Sequence, residues 1–451
     1  MAILPIDGGR YGTPEMLAIF GGQKKVDYQL AVEAAAASAQ ADLGMIPRAA
    51  AADIRRAARP GGVTESRIRR LEARSDHDTA ALVEALGEKC RVSTRPWIHY
   101  GLTSNDLVDT STSLQMRDAL SIVEPKTARL AVNLSKMADR YRLLPAVGRT
   151  HGQHASIISF GLKFANWAAE MARHLERIAV LRKRVLICKM MGVVGTGSMM
   201  GPRAIDVQKR AAARLGLFPS EASTQVVPRE RHAEYVFQLA LMGATLEKMA
   251  VEVRNLQRTE IGEVSELFRK GQMGSSAVPV KRNPTKSERV SSLSRLLRSQ
   301  VSVSFENIPL WHERDLSNSA NERFTLPLSS ILLDEMLVTM TKVMAGLSIN
   351  EKRIRENLDT TGGRIYAEFV LEALVKKGVP RMRAYRDIQR VAFAAAKTGY
   401  MEALMSDRSI SSQLSPAEIR AVFSPESHLG ASSRIISGVR RIVERAARGT
   451  A

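Results

Sequence analysis

The stretch "LALMGATLEKMAVEVRNL", residues 239–256, decides the fold class. Leu239, Met242, Leu246, Met249, Val253 and Leu256 recur at alternating spacings of three and four. That rhythm places them along one side of an α-helix and makes the seam of a packed bundle. No proline interrupts the chain between Pro228 and Pro279. Carried over residues 230–264, one helix would run about 50 Å at roughly 1.5 Å per residue. Such a length exceeds an ordinary globular helix and suits a long bundle shared between subunits.

Outward from that seam the pattern repeats. The proline-free stretch between Pro145 and Pro202 carries Leu162, Trp167, Met171, Leu175, Ile178 and Leu181 at helical spacing. Alternating strand patterns joined by hairpin turns do not recur, so the chain reads as all-α. Residues 1–105 read as an N-terminal domain of shorter helices broken by Gly and Pro. Residues 106–355 read as the central long-helix bundle domain. Residues 356–451 read as a C-terminal helical domain ending in the basic tail "RRIVERAARGTA".

Composition bounds the function classes. The 451 residues are 45% apolar and only 5% aromatic, with a formal net charge of +20. Cys90 and Cys188 supply neither a disulfide framework nor a metal-ligand spacing, which fits a reducing, cytoplasmic setting. The opening "MAILPIDGGRYG" lacks the regions of a signal peptide, and no uninterrupted apolar run reaches membrane-span length. Lys and Arg are spread along the chain without aromatic interleaving. The positive charge therefore reads as a basic surface favouring anionic ligands, with nucleic acid the minority reading.

The chemistry concentrates in "GQMGSSAVPVKRNPTKSERV", residues 271–290. Gly271, Gly274, Pro279 and Pro284 exclude a helix. They make a closely approachable backbone whose N–H groups can face an anion. Lys281 adds a full positive charge and Asn283 a neutral donor, a set able to hold a carboxylate or the carbanion delocalised into one. A serine beside that site could remove a neighbouring C–H proton if its hydroxyl were activated.

Three other segments carry candidate groups. "GRTHGQHA" places His151 after Thr150, ahead of a long helix; "WIHYGLTSNDLVDT" places His99 four residues before Thr103 and Ser104; "EARSDHDTAALV" supplies His77. Thr103 or Ser104 is also an N-cap candidate with Asp106 in the first turn, and a helix N-terminus is itself an anion site. "WHERDLSNSANERF" holds Arg314, Ser319 and Arg323 at offsets of five and nine. On one helix these do not converge, so a bend is needed before they could jointly hold a phosphate or dicarboxylate.

Taken in order, "GLTSNDLVDT", "GRTHGQHA", "TQVVPRERHAEY", "LQRTEIGEVSE", "KRNPTKSERV" and "WHERDLSNSANER" resemble segments of the adenylosuccinate lyase family, within the fumarase/aspartase superfamily. The resemblance runs from "RYGTPEM" to "GGRIYAEFV". It implies an all-helical, three-part subunit in a homotetramer whose active sites draw on three subunits. It implies a cofactor-free β-elimination that releases fumarate from adenylosuccinate, giving AMP, and from its biosynthetic counterpart SAICAR, giving AICAR.

By the same resemblance Ser275 would take the Cβ proton. His151 would protonate the leaving nitrogen, with Glu288 orienting it. Lys281, Asn283 and Ser276 would stabilise the carbanionic carboxylate. Thr103, Ser104 and Thr150 would bind the succinyl carboxylates with Gln225 nearby, and His77 would assist in the site. Arg10, Tyr11, Arg314, Ser319 and Arg323 would hold the nucleotide and its phosphate, and His99 joins the substrate-binding set.

Three positions depart from the family pattern: Asp76 where arginine is common, Val278 for methionine, and Val280 for histidine. Asp76 would repel phosphate. It keeps open another superfamily lyase, of argininosuccinate, aspartate or carboxymuconate type. From a different class, a non-catalytic basic RNA-binding relative is the further alternative.

Overall fold

The computed structural model describes residues 4–395 and 399–449. The chain is helical, as its periodicity predicts. Five helices are long: Ser104–Arg140, Phe160–Val185, Glu230–Leu256, Thr285–Glu306 and Ser319–Ala345. The seam residues Leu239, Met242, Leu246, Met249, Val253 and Leu256 are all buried, as are Trp167, Met171, Leu175, Ile178 and Leu181. Leu162 is only half-buried.

Contacts group the chain into two units. The first takes the residues up to Thr127 with His174–Leu246 and Ser292–Val338; the second takes Ala128–Arg173, Glu247–Ser291 and the chain from Thr339 onward. Each long helix divides its residues between the two.

Within the first unit, the alanine-rich Gly22–Asp42 helix buries thirteen of its 21 residues. It packs on the Arg48–Ala57 and Ala204–Leu215 helices. Short side chains let helix backbones approach closely, so this layer needs little bulk. Deeper in the unit the Tyr235 hydroxyl meets Ser330 Oγ at 2.8 Å, and Thr13 Oγ1 donates to the fully buried Asp334 at 2.6 Å. The Ser319–Ala345 helix is apolar enough by mean hydropathy to cross a membrane, yet 67% of that stretch is buried inside the protein, as a core helix would be.

In the second unit a core of Val370, Leu374, Tyr400, Leu404, Ile410 and Ile419 unites the helices between residues 367 and 422. Val147 and Ile157 pack with Leu358, Ile365 and Tyr366 in a smaller cluster.

Two local expectations are corrected. The Glu230–Leu256 helix stops eight residues before position 264, so it spans about 40 Å. Gly262 then adopts a left-handed φ of +63°, and Val264–Ser265 pairs with Ser348–Ile349 as a short antiparallel ladder. Glycine is the residue that makes such a reversal cheap.

The segment preceding the Phe160–Val185 helix is a β-hairpin, Pro145–Thr150 against Gln153–Ser159. Its two-residue turn is His151–Gly152, at φ +53° and +75°. Positive φ at both positions is the signature of a type I′ turn, usually Asn-Gly, and histidine is among the non-glycine residues enriched there.

Candidate active site

The candidate residues fall into two groups, one in each unit. In the first unit His77, Ser104, Arg314, Ser319 and Arg323 line one cavity of about 790 Å³, together with Asp76. The bend that the 314–323 spacing demands is present. Arg314 lies in a non-helical stretch, and Ser319 is the first residue of the next helix. Asp315 fixes that stretch by accepting from the Trp311 and Ser317 amides, each at 2.7 Å. The Ser317 hydroxyl, and after it these two amides, hold the Asp315 carboxyl below its usual range.

His77 caps the Asp78–Glu88 helix, its Nδ1 accepting the Ala80 N–H at 3.2 Å. The ring hydrogen therefore sits on Nε2 in the neutral form. Asp76 is exposed, in left-handed conformation at the C-terminus of the Glu65–Ser75 helix. Ser104 begins the 37-residue helix. Thr103 precedes it and donates its N–H to the Asp106 carboxylate at 2.8 Å. Asp106 and Lys189 are both fully buried and meet at 2.6 Å. Asp106 also accepts the Met191 and Gly192 amides, so this helix start is fixed rigidly.

Gln225 accepts from Arg314 at 2.8 Å. Burial lowers the Arg314 pKa, the cost of holding a guanidinium away from water. Arg10 and Tyr11 lie outside the cavity wall, the Arg10 guanidinium 6.0 Å from the Tyr11 ring centre. His99 also lies outside it. Its Nδ1 meets the buried Glu33 at 2.6 Å. Burial is the largest influence on His99 and pulls its pKa down, but the hydrogen bond and charge of Glu33 outweigh it and the net direction is up.

A network that sequence reasoning missed braces the cavity. Arg229 reaches Asp109 at 2.9 Å and Glu322 at 3.2 Å, and His232 meets Glu322 at 3.3 Å. Burial alone would raise both carboxyls, yet Arg229 and His232 hold Asp109 and Glu322 below their usual values. Three cavity segments, around residues 105–109, 229–232 and 318–323, are thereby tied together. Arg229 and Glu322 stand inside quoted motifs, but nothing local reveals partners 120 and 93 positions away.

In the second unit Ser275 Oγ accepts the Ala277 and Val278 N–H groups at 3.3 and 3.1 Å. Asn283 Nδ2 donates to the Gly274 carbonyl at 2.9 Å. A Cβ on Gly274 would lie 2.0 Å from the Lys281 carbonyl oxygen, so only glycine fits this crossing. Ser276 and Lys281 are exposed. Glu288 is in the first turn of the Thr285–Glu306 helix, whose start is capped by Glu266 accepting Ser287 N and Oγ at 2.7 and 2.6 Å.

His151 crowns the hairpin and is exposed, with Thr150 beside it. Among the described residues no hydrogen bond or ion pair links the side chains of His151, Ser275, Lys281 and Glu288. Below the turn, Arg149 pairs with the fully buried Glu263 through two bonds of 3.2 and 2.6 Å, and Asn357 donates to the same carboxylate at 2.8 Å. His154, opposite Arg149 in the hairpin, is lowered by burial and then by the Arg149 charge.

Comparison with known proteins places this architecture. Residues 9–297 match the lyase family, and residues 363–439 match the adenylosuccinate lyase C-terminus. The adenylosuccinate lyase of Methanothermobacter thermautotrophicus is 41% identical over 442 residues, covering 97% of this chain and 98% of the relative. That of Pyrococcus horikoshii is 42% identical over 446 residues, covering 98% of each.

Among solved structures, the 3-carboxy-cis,cis-muconate lactonizing enzyme of Pseudomonas putida superposes with a TM-score of 0.89 at 29% identity, over 98% of this chain and 100% of that one. The fumarate lyase of Mesorhizobium sp. BNC1 gives 0.88 at 29% identity, over 95% and 98%. Full-length kinship, the long-helix fold and the ordered motifs agree: this chain belongs to the adenylosuccinate lyase family of the fumarase/aspartase superfamily.

Proposed function

We propose that this chain cleaves adenylosuccinate to AMP and fumarate by β-elimination, and cleaves SAICAR to AICAR and fumarate in the same way. The observation that carries the reading is the near-complete alignment, at 41–42% identity, with relatives that bear the adenylosuccinate lyase name. The cavity formed by His77, Ser104, Arg314, Ser319 and Arg323 supports it by offering cationic and hydroxyl groups to an anionic nucleotide.

Ser275 is the base. Two amide hydrogens on its oxygen favour the alkoxide over the alcohol, because they bond more strongly to the charged form. The alkoxide takes the Cβ proton, and the electron pair spreads into the adjacent carboxylate beside Lys281, Asn283 and Ser276. That pair then closes the Cα–Cβ double bond as the C–N bond breaks. The leaving nitrogen receives its proton from His151, which Glu288 orients. Thr103, Ser104, Thr150 and Gln225 hold the succinyl carboxylates, while Arg10, Tyr11 and His99 complete the substrate contacts.

The active unit is a homotetramer with sites shared between subunits. Exposed Phe237 and Val251 on one long helix, and Leu296 and Phe305 on another, supply apolar surface that a partner subunit would cover. A reducing cytoplasm suits the two buried free thiols, Cys90 and Cys188.

The test is fumarate release by the purified protein, offered adenylosuccinate and SAICAR beside argininosuccinate and aspartate, with lactone formation followed for carboxymuconate. Turnover of the first two is expected. Turnover of the others alone would retain the superfamily and overturn the substrate.

A further inference from the structure

Two basic side chains of the first unit's cavity have no carboxylate partner among the described residues, and they identify one more residue of the site. Five basic side chains line it: Lys25, His77, Arg229, Arg314 and Arg323. Arg229 is neutralised by Asp109 and Glu322. Arg323 stands 3.7 Å from Asp78. His77 spends its Nδ1 lone pair on the helix cap. Arg314 bonds only the uncharged Gln225 amide among the described side chains, so it keeps its charge for a ligand.

Lys25 keeps its charge too. It lies half-buried in the first turn of the Gly22–Asp42 helix, and among the described residues its ammonium has no carboxylate partner. Its neighbour Lys24 is occupied differently, over the Tyr28 ring at 4.9 Å. Facing the same cavity are the carboxylates of Glu72 and Asp76. An anionic ligand entering there meets Asp76 as a repulsive group, and an uncompensated ammonium in the same wall offsets that repulsion.

We propose that Lys25 is a specificity-determining contact for the phosphate of the nucleotide, supplying the positive charge that Asp76 withholds. This rests on the reading that the cavity receives a nucleoside monophosphate. An ammonium–phosphate hydrogen bond formed out of bulk water makes affinity depend on the phosphate and not on the base or sugar.

The test compares ligands that differ only in the phosphate. With Lys25→Met, binding of AMP, measured by titration calorimetry on the intact protein, should weaken about 10- to 100-fold, the range expected for one charge-assisted bond. Binding of adenosine should change less than about twofold on the same scale. Lys25→Arg should restore most of the AMP affinity, and Asp76→Asn should strengthen AMP binding while leaving adenosine unaffected. In turnover the loss in Lys25→Met should fall on KM for adenylosuccinate and not on KM for its dephosphorylated nucleoside.

Equal weakening toward AMP and adenosine, or no weakening toward AMP in a variant that melts like the parent, would overturn the assignment. So would a parent protein that binds AMP no better than adenosine. A phosphate-dependent loss in Lys25→Met without any fumarate release by the parent would keep Lys25 as a phosphate contact and instead sink the reaction proposed for the site.

Discussion

Replacing Glu263 with alanine removes the only carboxylate among the described residues that answers Arg149 at the base of the His151 hairpin. Glu263 is fully buried and Arg149 is 16% exposed, so the vacated guanidinium is largely cut off from water. Breaking a buried pair by deleting one partner costs about 3–5 kcal/mol. The residual exposure of Arg149 places the effect at the lower end, about 3 kcal/mol.

That energy belongs to the hairpin locally. Hydrogen exchange of the amides in residues 145–159 is therefore the sensitive assay, and their exchange should quicken about 100-fold. The His151 turn would lose its fixed footing, and kcat should fall with it. The paired substitution Glu263→Leu with Arg149→Met should recover most of the protection, because an apolar pair of similar volume avoids the desolvation of both charges. Exchange accelerated by less than about fivefold in Glu263→Ala, or no recovery in the double variant, would refute the reasoning.

Ser275→Ala and His151→Ala should each abolish turnover, and mixed oligomers of the two inactive proteins should regain partial activity; near-normal activity in either single variant would exclude the assigned roles. Gly274→Ala forces a methyl group to within 2.0 Å of the Lys281 carbonyl, so the loop must rearrange. It should cut kcat at least about tenfold with no change in melting temperature, since the loop is exposed and adds little to the core. The Glu33 partner raises the His99 pKa on folding. Its stabilisation is therefore complete below the unfolded value near about 6.5 and lost as pH rises through the folded value. The unfolding free-energy gap between the parent and His99→Gln should shrink as pH rises from the unfolded value through the folded one, and a constant gap would rule the linkage out.

What the sequence discloses and what it hides have separable causes. The bundle is legible because burial imposes a period, and Leu239 through Leu256 display it without interruption. The overlong helix arises because no proline or capping residue announces the stop at Leu256; the informative residue is Gly262, whose left-handed backbone becomes meaningful only once Val264 is known to pair with Ile349. The hairpin is masked because only Val147 and Ile157 of its strands join the small core around Tyr366, leaving too little alternation to read, and its turn uses His-Gly in place of Asn-Gly.

At the site, the convergence of Arg314, Ser319 and Arg323 depends on a bend made by Asp315, itself a local signal. The bracing of Arg229 by Asp109 and Glu322 depends on distant chain segments meeting. Charge type predicts that such residues need partners, but not which ones.

Glu266, which caps the start of the Thr285–Glu306 helix, also anchors the loop ahead of it. Its side chain takes hydrogen bonds from Lys286 and Ser287, while its own amide is held by Gln257. The run from 267 to 284 thus leaves and returns to one shared footing. Lengthening or shortening that run would alter how far its tip reaches without unthreading the helix behind it. Insertions there should displace Ser275 and Lys281 and cost activity while the helix and its footing stay folded.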